Sequence, residues 1–198
     1  MTLESLLTYL PSLALAIGLA ASTGLRAWLP LLATSLLARF DVVTLGDSFA
    51  FLSSTPAIVL FAVATVLEIA ADKIPVLDHG LDVVSTVIRP IAAAVLAGAV
   101  MFQIHDPLWA LVLGLIVGAP TALVPHAVKS GVRVASTATT GGLTNPVVSV
   151  AEDTASIVMV VLAVVVPIVA AGLVIVFCLL ALRWWRRRRH VARSATSA

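Results

Sequence analysis

Long apolar runs, separated by two short charged motifs and followed by a basic tail, leave this chain one solvent in which to fold, a lipid bilayer. The first motif is Glu68, Asp72, Lys73, Asp78, Asp82 and Arg89; the second is His126, Lys129, Arg133, Glu152 and Asp153. A charge near hydrocarbon costs several kcal/mol unless it is paired, hydrated or held at an interface, so both motifs are functional-site candidates by default. Composition agrees: 61% of residues are hydrophobic and 11% charged, with a mean hydropathy of +1.13, far from the balance of a soluble domain. The 198 residues allow five or six spans of about 20 residues each. The expectation is an all-α, polytopic transmembrane bundle over residues 1–183, with one amphipathic interfacial helix and a basic tail over 184–198.

The breaks between runs are recognisable. Residues 6–40 would make a single helix of about 50 Å, too long for a hydrocarbon core of about 30 Å. The stretch must fold back, as two spans or a re-entrant hairpin, with Ser22-Thr23-Gly24-Leu25-Arg26 as the turn. Residues 41–54 have a loop composition, and Pro56 suits the first turn of a span over 56–71. Beyond Pro75, the residues Asp78, Asp82, Ser85 and Arg89 recur at helical spacing, with Leu77, Leu81, Val84 and Ile88 between them. That pattern predicts an amphipathic helix over 76–88, in the interface or capping a cavity. Pro90 opens an apolar run to Ile104, and a further span follows over 108–125, where Gly114 and Gly118 have the spacing of closely packed helices. Small polar residues fill 126–150, and Ser149 with Glu152 reads as a capping box for a last helix over 152–183, kinked at Pro167.

Arg183, Arg186, Arg187, Arg188, Arg189 and Arg193 crowd the C-terminal tail. A basic segment directly after an apolar run reads as a cytoplasmic anchor facing anionic lipid, not as a nucleic-acid site. Glu4 is the only charge before Arg26, so residues 6–22 read as a retained span and not a secretory signal. Cys178, the only cysteine, lies inside an apolar run and excludes an internal disulfide. Counting spans backward from a cytoplasmic C-terminus puts both charged motifs, and Arg26 if 6–40 is two spans, on the non-cytoplasmic face. Basic residues facing outward strain the positive-inside rule, and pairing with nearby carboxylates would relieve the conflict.

The strings Gly24-Leu-Arg-Ala-Trp-Leu-Pro30, Glu68-Ile-Ala-Ala-Asp-Lys-Ile-Pro75 with Asp78-His79, Arg89-Pro90, His126-Ala-Val-Lys129 with Arg133, and Asn145-Pro-Val-Val-Ser149 with Glu152-Asp153 together resemble the bacterial membrane proteins grouped as domain of unknown function 4126. The resemblance covers roughly residues 15–160. It implies a multi-pass protein of the bacterial inner membrane and brings no activity with it.

Each motif carries a chemical and a structural reading. Glu68 and Asp72, four apart on one helical face, suit a cation or a proton relay; equally, Asp72 and Lys73 could end a helix in interfacial water. Asp78, His79 and Asp82 could ligate a divalent metal, though acidic pairs on amphipathic helices are commonly just solvated. His126, Lys129 and Arg133 form a cationic stripe suited to a phosphate or carboxylate, or to pairing with the acidic motif. Glu152 serves as the capping-box partner of Ser149, and Asp153 favours the helix N-terminus. Trp184 and Trp185 read as an interfacial belt. Asn145 belongs to an irregular loop over Gly141–Glu152, expected against the bundle beside Lys129 and Arg133. No nucleophile elbow, zinc helix, P-loop or dinucleotide fingerprint is present, and no cofactor is predicted. The candidate polar cavity therefore comprises Arg26, Glu68, Asp72, Lys73, Asp78, Asp82, Arg89, His126, Lys129, Arg133, Asn145, Glu152 and Asp153. It points to a small transporter or channel for an ion, proton, anionic lipid or solute, its cavity open to the non-cytoplasmic face. Thr140-Gly-Gly-Leu-Thr-Asn145 echoes Ser22-Thr-Gly-Leu-Arg26 as a weak inverted repeat would. The alternatives are a membrane enzyme acting on a lipid head group and a non-catalytic assembly protein.

Overall fold

A helix needs an end, and this chain supplies its ends from short polar and proline-bearing segments. In a computed structural model, residues 3–72, 75–101 and 104–196 are described, with side chains over 9–72, 85–101 and 104–187. The described residues are all-helical: α1 (Leu3–Leu25), α2 (Trp28–Arg39), a 3-10 turn (Asp47–Ser53), α3 (Thr55–Ala71), α4 (Pro75–Val100), α5 (Pro107–Thr140), α6 (Asn145–Val165) and α7 (Pro167–Thr196). Ser54 caps α3 by accepting the Ala57 N–H at 3.4 Å, and Asp106 caps α5 by accepting those of Leu108 and Trp109 at 2.9 and 3.0 Å. These side chains satisfy N–H groups that a helix start leaves unpaired, and Pro56 and Pro107 follow where no N–H is needed.

Among the described residues, three helical stretches are long and apolar enough to cross a membrane: Pro107–Thr140, Asn145–Val165 and Pro167–Arg187. The 3-10 turn and α3, bent by 60° at their junction, bring the number to four if they count as one span. The five or six spans expected are not confirmed among the described residues, of which α1 and α4 contribute only the shorter apolar stretches Tyr9–Leu25 and Ser85–Val100. Residues 6–40 divide into a long helix and a half-helix: α2 has 12 residues, about 18 Å, and is too short to cross.

The segments 76–88 and 90–104, expected as separate elements, are not separate. One helix, α4, runs Pro75–Val100 through Pro90. Packing overrides the local break, because α4 lies against α5 almost backbone to backbone. A Cβ on Gly114 would stand 2.2 Å from the Ala94 carbonyl oxygen, and one on Gly118 2.5 Å from that of Ala93. Gly114→Ala should therefore force the two backbones apart and cost about 2 kcal/mol, read as a lower unfolding midpoint in detergent. Gly131→Ala, with nothing within 4 Å of the new methyl, should leave the midpoint unchanged or raise it.

The last helix differs most from expectation. The stretch 152–183 is not one kinked span: α6 ends at Val165, Val166 takes an extended φ of −138°, and Pro167 starts α7. In a straight helix, Ala163 and Ala170 would be about 10 Å apart along the axis. Here both meet Gly18 of α1, whose added Cβ would lie 2.6 and 3.4 Å from theirs. Pro167 meanwhile lines a cavity of about 190 Å³ with Pro11 and Ser12, at the start of the described side chains of α1. The chain has turned at Val166, and α7 sets off back along α1 in the direction of Arg26. The buried residues Ala170, Ala171 and Val174 form the stripe of this contact.

The bundle thus has two ends. Pro11, Val43, Val100 and Pro167 gather at one. At the other, α1 ends and α6 begins, with Ser149 of α6 bonded to Arg26, just past the end of α1, and Ser156 of α6 bonded to Ser22 of α1. Span-counting from the sequence puts the charged motifs and the basic tail on opposite faces. The α6–α7 hairpin brings them to the same end.

Candidate functional site

The site is built around the break between α1 and α2. Ser22 and Thr23 turn their hydroxyls back onto the carbonyls of Leu19 and Ala20, each at 2.7 Å, a local competition that loosens a helix end. Gly24 is pressed onto α5, where a Cβ would lie 2.2 Å from the Ala122 carbonyl oxygen. The freed carbonyls at the end of α1 then meet cations: Arg89 Nη1 donates to Gly24 at 3.1 Å and Lys129 Nζ to Leu25 at 3.3 Å. Across the break, the N–H groups of Ala27 and Trp28 donate to the two oxygens of Glu68, at 3.0 and 3.2 Å. Both arrangements follow the helix dipole, with cations at a C-terminus and a carboxylate at an N-terminus.

Arg26, between the two half-sites, is fully buried. It ion-pairs with Asp72, donates to Ser149 Oγ at 2.7 Å and to the Ser149 carbonyl at 3.2 Å, and faces Asp153 Oδ1 with Nε at 2.5 Å. Arg133 holds Glu152 through two parallel bonds of 3.1 and 2.9 Å and reaches Asp72 at 2.8 Å. Such a planar fork is the strong form of a charge-assisted bond. Lys129 adds 3.0 Å to Glu152 and 3.9 Å to Asp72. Arg89 lies 3.8 Å from Glu68, and its Nη1 is 2.5 Å from His126 Nδ1. An arginine has no acceptor, so His126 Nδ1 must accept and its Nε2 carry the proton toward Thr86 Oγ1, 3.2 Å away. His126 is then neutral, and among the described residues four cations (Arg26, Arg89, Lys129, Arg133) face four carboxylates (Glu68, Asp72, Glu152, Asp153). Asp72 sits just beyond α3.

Nine candidates come together here: Arg26, Glu68, Asp72, Arg89, His126, Lys129, Arg133, Glu152 and Asp153. Asn145 does not join them. It accepts from Ser136 at 2.7 Å and donates to Thr137 at 3.2 Å, in a hydroxyl cluster at the α5–α6 turn. The loop expected over Gly141–Glu152 is also mostly absent. Gly141 and Gly142, at φ +62° and +88°, end α5, and α6 is helical from Asn145. Ser149 is consequently inside the helix, and there is no capping box: Ser149 receives Arg26, and Glu152 receives Arg133 and Lys129. Lys73 and the side chains of Asp78, His79 and Asp82 lie outside the described residues, so the metal-ligand reading of those three does too. Among the described residues, no group of three or more His, Cys, Asp or Glu is placed to hold a metal ion. Ser149 and the N–H groups of Ala27 and Trp28 are site members that residue type did not announce. Only the Gly-Leu-Arg interruption pointed to them.

The chain belongs to the family described as Domain of unknown function (DUF4126), whose model matches residues 13–187 and so takes in the whole charged site. No curated protein and no solved structure matches the chain.

Proposed function

We propose that this member of the family is a multi-pass transporter of a cytoplasmic membrane that carries a small monovalent anion together with a proton through the α1–α2 break. The observation that supports this reading is the seat of Glu68. Its carboxylate occupies the N–H groups at the start of a half-helix, with Arg89 3.8 Å away. Half-helix N-termini inside a membrane bundle are where transporters receive anionic groups, and here an internal carboxylate holds that place. A solute carboxylate entering it must displace Glu68. The four-against-four charge balance then sets the coupling: an added anion leaves one negative charge in excess, and one proton on Glu68 removes it. Burying the unbalanced charge would cost several kcal/mol, so anion and proton move together.

Complete pairing equally favours a second reading, a non-catalytic bundle in which the charges only hold helices together. Flux separates the two. In proteoliposomes of the purified chain, with the interior alkaline and potassium with valinomycin holding the voltage at zero, lactate should enter faster than in protein-free liposomes. No protein-dependent entry of lactate, chloride or phosphate would reject transport.

Thr34 and Ser35 of α2 support a path beyond the break. Both are about 1% exposed, and their hydroxyls have no hydrogen-bond partner among the described residues. Unpaired buried hydroxyls cost stability. Thr34→Val with Ser35→Ala should therefore raise the unfolding midpoint while lowering lactate entry, whereas hydroxyls off the path would leave entry unchanged.

A further inference from the structure

We infer that the charged end of the bundle faces the cytoplasm and is held there by anionic phospholipid bound to Arg183, Trp184, Trp185, Arg186 and Arg187 of α7. The inference is independent of what the site carries. It starts from the hairpin at Val166: because Ala170 lies beside Gly18 and α7 runs on toward Arg26, helical rise places both ends on one scale. From Gly18 to Arg26 is about 12 Å and from Ala170 to Trp184 about 21 Å. The tryptophans therefore sit about 9 Å outside the level of Arg26, with the arginines of 186 and 187 just beyond.

From Pro167 to Trp184 is about 26 Å, close to the hydrocarbon thickness of a bilayer. Burial of α7 fades after Val174, and Trp184 and Trp185 are 56% and 52% exposed. Arg183, Arg186 and Arg187 are exposed around them. Amphipathic indole rings at headgroup depth, with guanidinium groups around and just past them, match a leaflet of anionic phospholipid in both polarity and charge. The ion-pair network then lies inside the hydrocarbon boundary, where the matching of its described cations by carboxylates is required and not incidental.

Charge at the two ends gives the direction. Among the described residues, Arg39 is the only Lys or Arg that does not lie in the network, in α4 or α7, or at the α1–α2 break. The opposite end carries Asp41, Asp47 and Asp106. Read with the tail on the far side from the network, the chain breaks the positive-inside rule; with the hairpin, it obeys the rule.

Two measurements on the full chain test this. With Cys178→Ala as background, Leu143→Cys and Ser194→Cys should both resist a membrane-impermeant maleimide in intact cells and react in inverted vesicles. Ser48→Cys, at the opposite end, should do the reverse. Reaction of 143 and 194 from different sides would overturn the shared face, and reaction of both from outside would overturn its direction. In nanodiscs, replacing a third of the phosphatidylcholine by phosphatidylglycerol should raise the unfolding midpoint by roughly 5 °C. The triple variant R183Q/R186Q/R187Q should lose this rise while keeping its midpoint in phosphatidylcholine alone. An equal rise in the variant, or none in the parent, would overturn the lipid contact.

Discussion

Arg26→Gln should cost the protein about 3–5 kcal/mol of stability, the loss typical when one partner of a buried ion pair is removed. In detergent this appears as an unfolding midpoint lower by about 10 °C. Arg26 is wholly buried and ties together the end of α3 through Asp72 and the second turn of α6 through Ser149 and Asp153. Glutamine leaves those carboxylates facing each other and Ser149 without its donor. Arg26→Lys should recover less than half of the loss, since one ammonium cannot reach three partners set around a planar fork. Adding Asp72→Asn to Arg26→Gln should restore part of the stability, because the pair couples and the losses are not additive. A loss under about 1 kcal/mol, as for an exposed pair, would mean that Arg26 is hydrated and the network does not bind the helices.

The class of the protein was legible in bulk composition, and the α1–α2 break in Ser22 to Arg26, where polar and glycine residues interrupt a run too long to cross. The pairing of Glu68 and Asp72 with cations such as Arg26, Arg89, Lys129 and Arg133 followed from the cost of a single charge near hydrocarbon, whereas the part of Glu152 in the network did not, because its spacing from Ser149 reads as a cap. What local rules misjudged were places where packing outweighed them. Pro90 reads as a stop, but the glycine contacts of Gly114 and Gly118 with α4 keep the helix whole. Ser149 and Glu152 have capping-box spacing, yet Gly141 and Gly142 end α5 early enough for α6 to start at Asn145, and the two side chains face the network. Pro167 has the look of a kink. The small residues Gly18, Ala163 and Ala170 let α7 fold back against α1, and no local pattern announces a contact 145 or more positions away in sequence. Because topology was counted from that helix, reading Pro167 as a kink put the charged site and the basic tail at opposite ends, whereas the hairpin brings them to one end.

Glu68→Gln should uncouple transport from the proton gradient. Glutamine keeps the side chain's shape and can still accept from α2, but it cannot take up a proton in exchange for a solute. The site then holds four cations against three carboxylates and accepts a monovalent anion without a proton. The decisive measurement is lactate accumulation in proteoliposomes at zero voltage with the interior one pH unit more alkaline. One proton per anion fixes the expected ratio, since one pH unit corresponds to about 1.36 kcal/mol. The parent chain should concentrate lactate about tenfold, and Glu68→Gln should equilibrate it to a ratio near one while still exchanging labelled for unlabelled lactate. Tenfold accumulation by Glu68→Gln, or a parent ratio that does not follow the pH gradient, would contradict the account.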